Sequence, residues 1–153
     1  IVTVNAGAAG NVELESTSTI TDTAGDDTTV DITGALLTIR PSTGIGVTAA
    51  NALNLSVANL VITTTSGNAF ITEANGIGLG VVNVVGNALD LRAITGSITN
   101  NTSAVTAGNL TLTATASGAA IGATGASAAT AARPDHSTRS PASSARESTH
   151  DSA

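Results

Sequence analysis

The sequence predicts an all-β chain wound as a parallel β-helix, or β-solenoid, of about six turns. Three observations carry that expectation. Apolar residues alternate with polar ones in short runs, similar motifs recur at roughly 20-residue spacing, and the large side chains of an ordinary core are missing.

The alternation runs from the first residues onward. Val2/Val4, Val12/Leu14, Val30/Ile32, Leu37/Ile39, Leu53/Leu55, Leu60/Ile62, Val82/Val84, Leu89/Leu91 and Leu110/Leu112 are apolar pairs at period two, the period of a strand with one buried face. Turn formers bound the runs at Ala24-Gly25, Thr33-Gly34, Thr43-Gly44, Ser66 to Asn68, Val85 to Asn87, Ala107 to Asn109 and Ser117-Gly118. No segment carries a capped apolar stripe at period 3.6, so helix is expected to be nearly absent.

Repetition then chooses among β architectures. NALNLSV (51–57), NAFITEA (68–74), NALDLRA (87–93) and GNLTLTA (108–114) align, placing Leu53, Phe70, Leu89 and Leu110 at spacings of 17, 19 and 21, with Leu37 preceding Leu53 by 16. Each repeat is long enough for one coil of a solenoid, in which every strand stacks about 4.8 Å from its predecessor. Leu37, Leu53, Leu55, Phe70, Leu89, Leu91, Leu110 and Leu112 are the expected core. The alternative is an antiparallel Ig-like β-sandwich, which also uses short Thr-rich strands but wants a buried aromatic and less regular spacing.

Composition agrees with a narrow aliphatic core. Hydrophobic residues make up 41 % of the 153, yet Phe70 is the lone aromatic, and Trp, Tyr, Met, Cys and Lys are absent. A compact globule draws much of its buried area from aromatics, whereas stacked Val, Ile, Leu and Ala ladders do not need them. Five Arg against eleven acids leave a net charge of -6, which argues against a nucleic-acid-binding surface. Zero Cys excludes disulfides, thiolate metal sites and Cys nucleophiles. The most apolar stretch, Gly76 to Ile94, is interrupted by Asn83, Asn87 and Asp90, so no transmembrane segment is expected.

Two regions follow. Residues 1–125 form the expected solenoid repeat region. Residues 126–153 lose Val, Ile and Leu altogether and form an Ala/Ser/Thr/Pro/Arg tail of low complexity that is expected to be disordered. The start, IVTVNAGAAG, has neither the basic n-region nor the apolar h-region of a signal peptide and reads as the interior of a longer array.

TGIGVTAANALNLSVANLVITTTSGNAFITEANGIGLGVVNV (Thr43 to Val84) and GNLTLTATASGAAIG (Gly108 to Gly122) resemble the repeats of large bacterial surface proteins of the filamentous-haemagglutinin-like, two-partner-secreted adhesin type. The resemblance covers about Ile32 to Gly122 and rests on degenerate motifs. It implies a right-handed parallel β-helix in a secreted or cell-surface, outer-membrane-associated stalk. The implied partners are flanking repeats of the parent chain and a host or cell-surface glycan or protein.

Candidate chemistry is sparse. Glu13, Glu15, Asp22, Asp26, Asp27 and Asp31 crowd the first 31 residues without an Arg, and Asp22, Asp26 and Asp27 flank Gly25 as a candidate Ca²⁺ site. Their spacing fits neither an EF-hand nor a nonapeptide calcium repeat, so a solvated acidic face is preferred and no cofactor is expected. Asp90 and Arg92 share one side of a strand, with Glu73 about one turn away. That set is the nearest approach to the convergent carboxylates of a glycan-cleaving β-helix. No GxSxG, HExxH or P-loop occurs, and His136 and His150 both fall in the tail. Thr-x-Thr runs at Thr17 to Thr23, Thr63/Thr65 and Thr111 to Thr115 would form a flat hydroxyl face if stacked, but unequal turn lengths argue against a regular array. The expected function is therefore a non-enzymatic stalk or fibre segment, with a glycan-binding or glycan-cleaving β-helix as the alternative.

Overall fold

The computed structural model describes residues 1, 3–22, 28–100 and 103–123. Among them there is no helix, and nine strands join one continuous sheet: β1 (Val4–Asn5), β2 (Asn11–Ser16), β3 (Ile32–Pro41), β4 (Leu53–Thr63), β5 (Ala69–Glu73), β6 (Ile77–Ala93), β7 (Ile98–Asn100), β8 (Val105–Ala114) and β9 (Ile121–Ala123). Every pairing between strands is parallel and joins residues 18 to 28 positions apart, from Leu55 with Glu73 to Val4 with Ile32. A chain that returns to lie parallel on itself at such short intervals is a β-solenoid, here of about five turns. The antiparallel sandwich is thereby excluded. The turn count falls below the roughly six expected because the early coils are longer than 20 residues.

Each coil has two arms. The first arm is built by β1, the starts of β3 and β4, β5, and the ends of β6 and β8; the second by β2, the ends of β3 and β4, the start of β6, β7 with the start of β8, and β9. Several strands run through the corner between arms. Thr33-Gly34 and Ala107 to Asn109, expected as turns, consequently lie inside β3 and β8. Val85 to Asn87 likewise lies inside β6, where the register with β8 slips between Val84 and Ala88, whereas Ser66 to Asn68 does fall between β4 and β5; Gly67 and Gly86 sit at φ 78° and 75°, in the left-handed region open to glycine. Gly67 also passes so close to the Thr43 carbonyl that a Cβ would collide with it.

Inward residues stack in columns. Ile20, Ile45, Ala69, Leu89 and Leu110 form one; Leu53, Ile71, Leu91 and Leu112 a second; Leu14, Ile39, Ile62, Val82 and Val105 a third. Leu37, Leu53, Leu55, Leu89 and Leu91 are buried, as expected. Leu110 and Leu112 stand in the right columns, but Leu110 is 46 % exposed and Leu112 half-buried, because β8 belongs to the last coil described and pairs only with β6.

Phe70 is a correction. It points outward and is half-buried, while Ala69 and Ile71 on either side of it face the core. Leu53 stacks on Ile71, not Phe70; Leu89 stacks on Ala69; and Leu37 stacks on Leu60, not Leu53. Of the expected spacings only the 21 between Leu89 and Leu110 survives. The motif alignment was one residue out of register, and at period two one residue exchanges the faces of a strand. Packing decides the matter: a slot between Ile45 and Leu89 accepts the methyl of Ala69, and a ring there would overpack it. Truncating Ile71 to Ala is therefore expected to lower stability by about 2–5 kcal/mol, against less than about 1 kcal/mol for Phe70→Ala, read from urea midpoints. The opposite ranking would restore Phe70 to the core.

Coils are also tied by polar side chains at their corners. The Asn68 Oδ1 accepts the Ala88 N–H at 2.9 Å, Asn75 Nδ2 donates to Ser56 Oγ at 3.0 Å, and the Thr19 and Thr43 hydroxyls bond at 2.8 Å. The Asn side chains thus bridge to whatever lies in the next coil rather than stacking on one another. Asp31, grouped in the sequence with a solvated acidic face, is buried: it accepts the Asn54 N–H at 2.9 Å and clamps the start of β3 to β4. The tail, residues 126–153, lies outside the described residues.

Candidate functional site

The outer face of the first arm carries the one grouping of chemically versatile side chains that the sequence singled out. In β6 the buried residues Leu89, Leu91 and Ala93 alternate with Asp90 and Arg92, which therefore share the outward side, as period two requires. Register extends this into two rows running along the rod: Phe70, Asp90 and Thr111 in one, Thr72, Arg92 and Thr113 in the other.

A wall rises beside these rows. Between Ile45 and Leu53 the chain makes a lateral excursion closed by a tight turn, in which the Asn51 N–H donates to the Thr48 carbonyl and hydroxyl and the Val47 N–H to the Asn51 carbonyl. Ala49 and Ala52 of this excursion face Thr72, Asp90, Arg92, Thr111 and Thr113 across a groove of about 340 Å³. Asp90 is half-buried and Arg92 exposed, and among the described residues neither forms an ion pair. An acceptor, a planar cationic donor and a row of hydroxyls are thus presented along one open groove. Such a set suits ligands with many hydroxyl or amide groups.

Glu73 does not join it. Its carboxyl points to the opposite side of the sheet, fully buried between Leu55 and Ala93 in the register of the first arm. It accepts the Val57 N–H on Oε2 at 3.1 Å and the Asn75 N–H on Oε1 at 3.0 Å, at the corner where β5 leaves the first arm. Burial pushes its pKa up to about 7, and the two N–H bonds offset part of that rise. The Glu73, Asp90, Arg92 constellation considered from sequence is therefore split by the sheet, and the two-carboxylate geometry of glycan cleavage is not assembled from these residues.

The acidic N-terminal region resolves into separate roles. Arg40 bonds Glu13 and reaches Glu15 at 3.3 Å across adjacent coils, an exposed arrangement of small energetic weight. Of the calcium candidates, Asp22 is half-buried just after Ile20, whereas Asp26 and Asp27 lie outside the described residues. No cluster of three or more metal-ligating side chains occurs among the described residues. The Thr-x-Thr runs do not form one face, since Thr63 stacks on Asn83 while Thr111 and Thr113 stack on Asp90 and Arg92.

Sequence reasoning missed Phe70 as a surface residue beside Asp90, the wall formed by residues 46–52, and the burial of Glu73. The available signal for the first was Ala69-x-Ile71, an apolar pair at period two that the resemblance of NAF to NAL obscured. Comparison with known protein families, with curated proteins and with solved structures gives no match.

Proposed function

We propose that this chain is a structural segment: a β-solenoid stalk or fibre section of a large secreted or surface-attached bacterial protein of the adhesin type. The observation that supports it best is the unbroken parallel ladder. From β1 to β9 each strand hands its backbone hydrogen bonds to the next coil, and apolar columns run along the axis without a buried catalytic cleft among the described residues. Such a rod resists bending and local unfolding because each coil is held on both faces. The bacterial, cell-surface and adhesin parts of this reading rest on the resemblance of Thr43 to Val84 and Gly108 to Gly122 to filamentous-haemagglutinin-like repeats. Flanking repeats of a parent chain and a host or cell-surface glycan or protein are its proposed partners.

Limited proteolysis tests the stalk. A fragment close to residues 1–123 is expected to survive protease concentrations that remove the tail. Rapid digestion throughout the coils would count decisively against a rigid spacer.

The groove beside Asp90 and Arg92 supports a second reading, a glycan-binding or glycan-cleaving β-helix. A glycan array and a reducing-sugar assay separate the two. Binding that disappears in Arg92→Ala, with the sheet intact by circular dichroism, favours the glycan reading, and silence in both assays favours the stalk.

A further inference from the structure

The corner between β5 and β6 carries Asn75-Gly76, the single Asn-Gly dipeptide in the chain. Both residues are exposed. Asparagine is a thermolabile side chain, and most so before glycine, whose backbone nitrogen can approach the amide carbon unhindered. Every other asparagine of this chain is followed by a residue with a Cβ, which crowds that nitrogen.

The fold both requires this glycine and leaves its nitrogen unengaged. A Cβ at position 76 would come within 3.1 Å of the Ser97 carbonyl oxygen and 3.2 Å of the Ser97 nitrogen, so the close approach of two coils at this corner favours glycine. The Gly76 N–H donates to no acceptor among the described residues, although the Ala74 N–H bonds the Leu55 carbonyl at 2.8 Å and the Ile77 N–H the Ser97 carbonyl at 2.9 Å. Asn75, by contrast, is engaged twice. Its backbone N–H bonds Glu73 Oε1 at 3.0 Å, and its Nδ2 bonds Ser56 Oγ at 3.0 Å. The side-chain amide beside the unengaged nitrogen is thus one that ties this coil to the coil before it.

We infer that Asn75-Gly76 is a site of self-modification, at which the folded chain converts its own asparagine to an acid and loosens the coil. The Gly76 nitrogen attacks Asn75 Cγ and passes its proton through solvent to Nδ2. The new C–N bond closes a succinimide ring, the Cγ–Nδ2 bond breaks and ammonia leaves. Water then opens the ring. Cleavage at Cγ gives an aspartyl residue, and cleavage at the former backbone carbonyl gives an isoaspartyl residue with a longer main chain. Water is the co-reactant throughout, and nothing is oxidised or reduced. Either product replaces the donor to Ser56 by a carboxylate and sets that charge two residues from the buried Glu73. The isoaspartyl form also lengthens the link between β5 and β6, two strands held in register with coils on both sides. This goes beyond the stalk reading, because it gives the rod one coil that weakens with age.

Incubating the full chain at mildly alkaline pH, folded in buffer and unfolded in urea, and mapping its peptides by mass spectrometry tests the inference. In the folded chain the mass change of amide to acid is expected at Asn75, at a rate within about tenfold of that in urea, as for a segment that opens at little cost. No other described asparagine is expected to convert measurably in the same period. Asn75→Gln, whose longer side chain closes the ring far less readily, is expected to gain no acid. The aged wild-type chain should be cut between β5 and β6 at a protease concentration that leaves the fresh chain uncut there. A folded chain in which Asn75 survives while the urea control converts, or conversion spread evenly over the asparagines, would overturn the inference. So would an aged, converted chain as resistant as the fresh one. Digestion of the fresh chain throughout its coils counts against the stalk instead, so the two failures are told apart.

Discussion

Leu91→Asp is expected to abolish folding. Leu91 is fully buried and stacks between Ile71 and Leu112, so a carboxylate there has no water and, in that column, only aliphatic neighbours. Burying an unpaired charge costs several kcal/mol even after relaxation, and the apolar contacts of the leucine are lost as well. Domains of this size are stable by only about 5–15 kcal/mol, so the change removes most of the margin. The neighbouring coils suffer too, because in a solenoid each coil is held largely by those beside it. Circular dichroism should show loss of the sheet signal and proteolysis should no longer leave a resistant fragment. Leu91→Ala, which only opens a cavity, is expected to cost about 2–5 kcal/mol and to remain folded. A folded, protease-resistant Leu91→Asp chain would sink the assignment of this column to the core.

The second large effect is a dependence of stability on pH that one residue controls. Glu73 is fully buried, and burial raises its pKa from 4.5 to about 7. The folded state therefore holds the proton more tightly than the unfolded chain does. The stability from this group is fully present below about pH 4.5 and is lost as pH rises through about 7. At 1.36 kcal/mol for each tenfold difference in proton affinity, the loss amounts to about 3 kcal/mol. Urea midpoints at pH 5 and pH 8 should differ accordingly in the wild type. Glu73→Gln keeps the shape but not the titration, so that component of the difference should vanish. The variant should also lose some stability at both pH values, because an amide nitrogen cannot accept one of the two N–H bonds from Val57 and Asn75. An unchanged pH dependence in Glu73→Gln would show that the carboxyl titrates as it does in water.

These two residues illustrate how unevenly the fold was legible. Leu91 belongs to Leu89/Leu91, a period-two pair whose burial can be inferred from sequence because strand geometry admits only two faces. Glu73 lies in NAFITEA at the inward position of a strand, where a carboxylate contradicts the hydrophobic pattern. It is tolerated because two backbone N–H groups reach it, that of Asn75 from the corner that follows and that of Val57 from the preceding coil. Local composition carries no trace of that arrangement, which depends on Val57 of the preceding coil.

The groove has the same character. That Asp90 and Arg92 share a face follows from alternation alone. Their setting does not: Thr72 and Thr111 come from other coils, and the wall is an excursion of seven residues between Ile45 and Leu53. The 16-residue interval from Leu37 to Leu53 misleads because the two are not equivalent positions of successive coils. Leu37 and Leu53 lie on different arms and never stack.

By itself the sequence determined the class of the structure, because period-two alternation, recurrence near 20 residues and a wholly aliphatic core are properties of the chain that any folded state must respect. Only the tertiary structure decided the register, and with it the outward turn of Phe70, the burial of Glu73 and the exposure of Leu110. Register is set by which side chains fit between neighbouring coils, and a one-residue shift leaves the local pattern nearly unchanged while exchanging every inward and outward position.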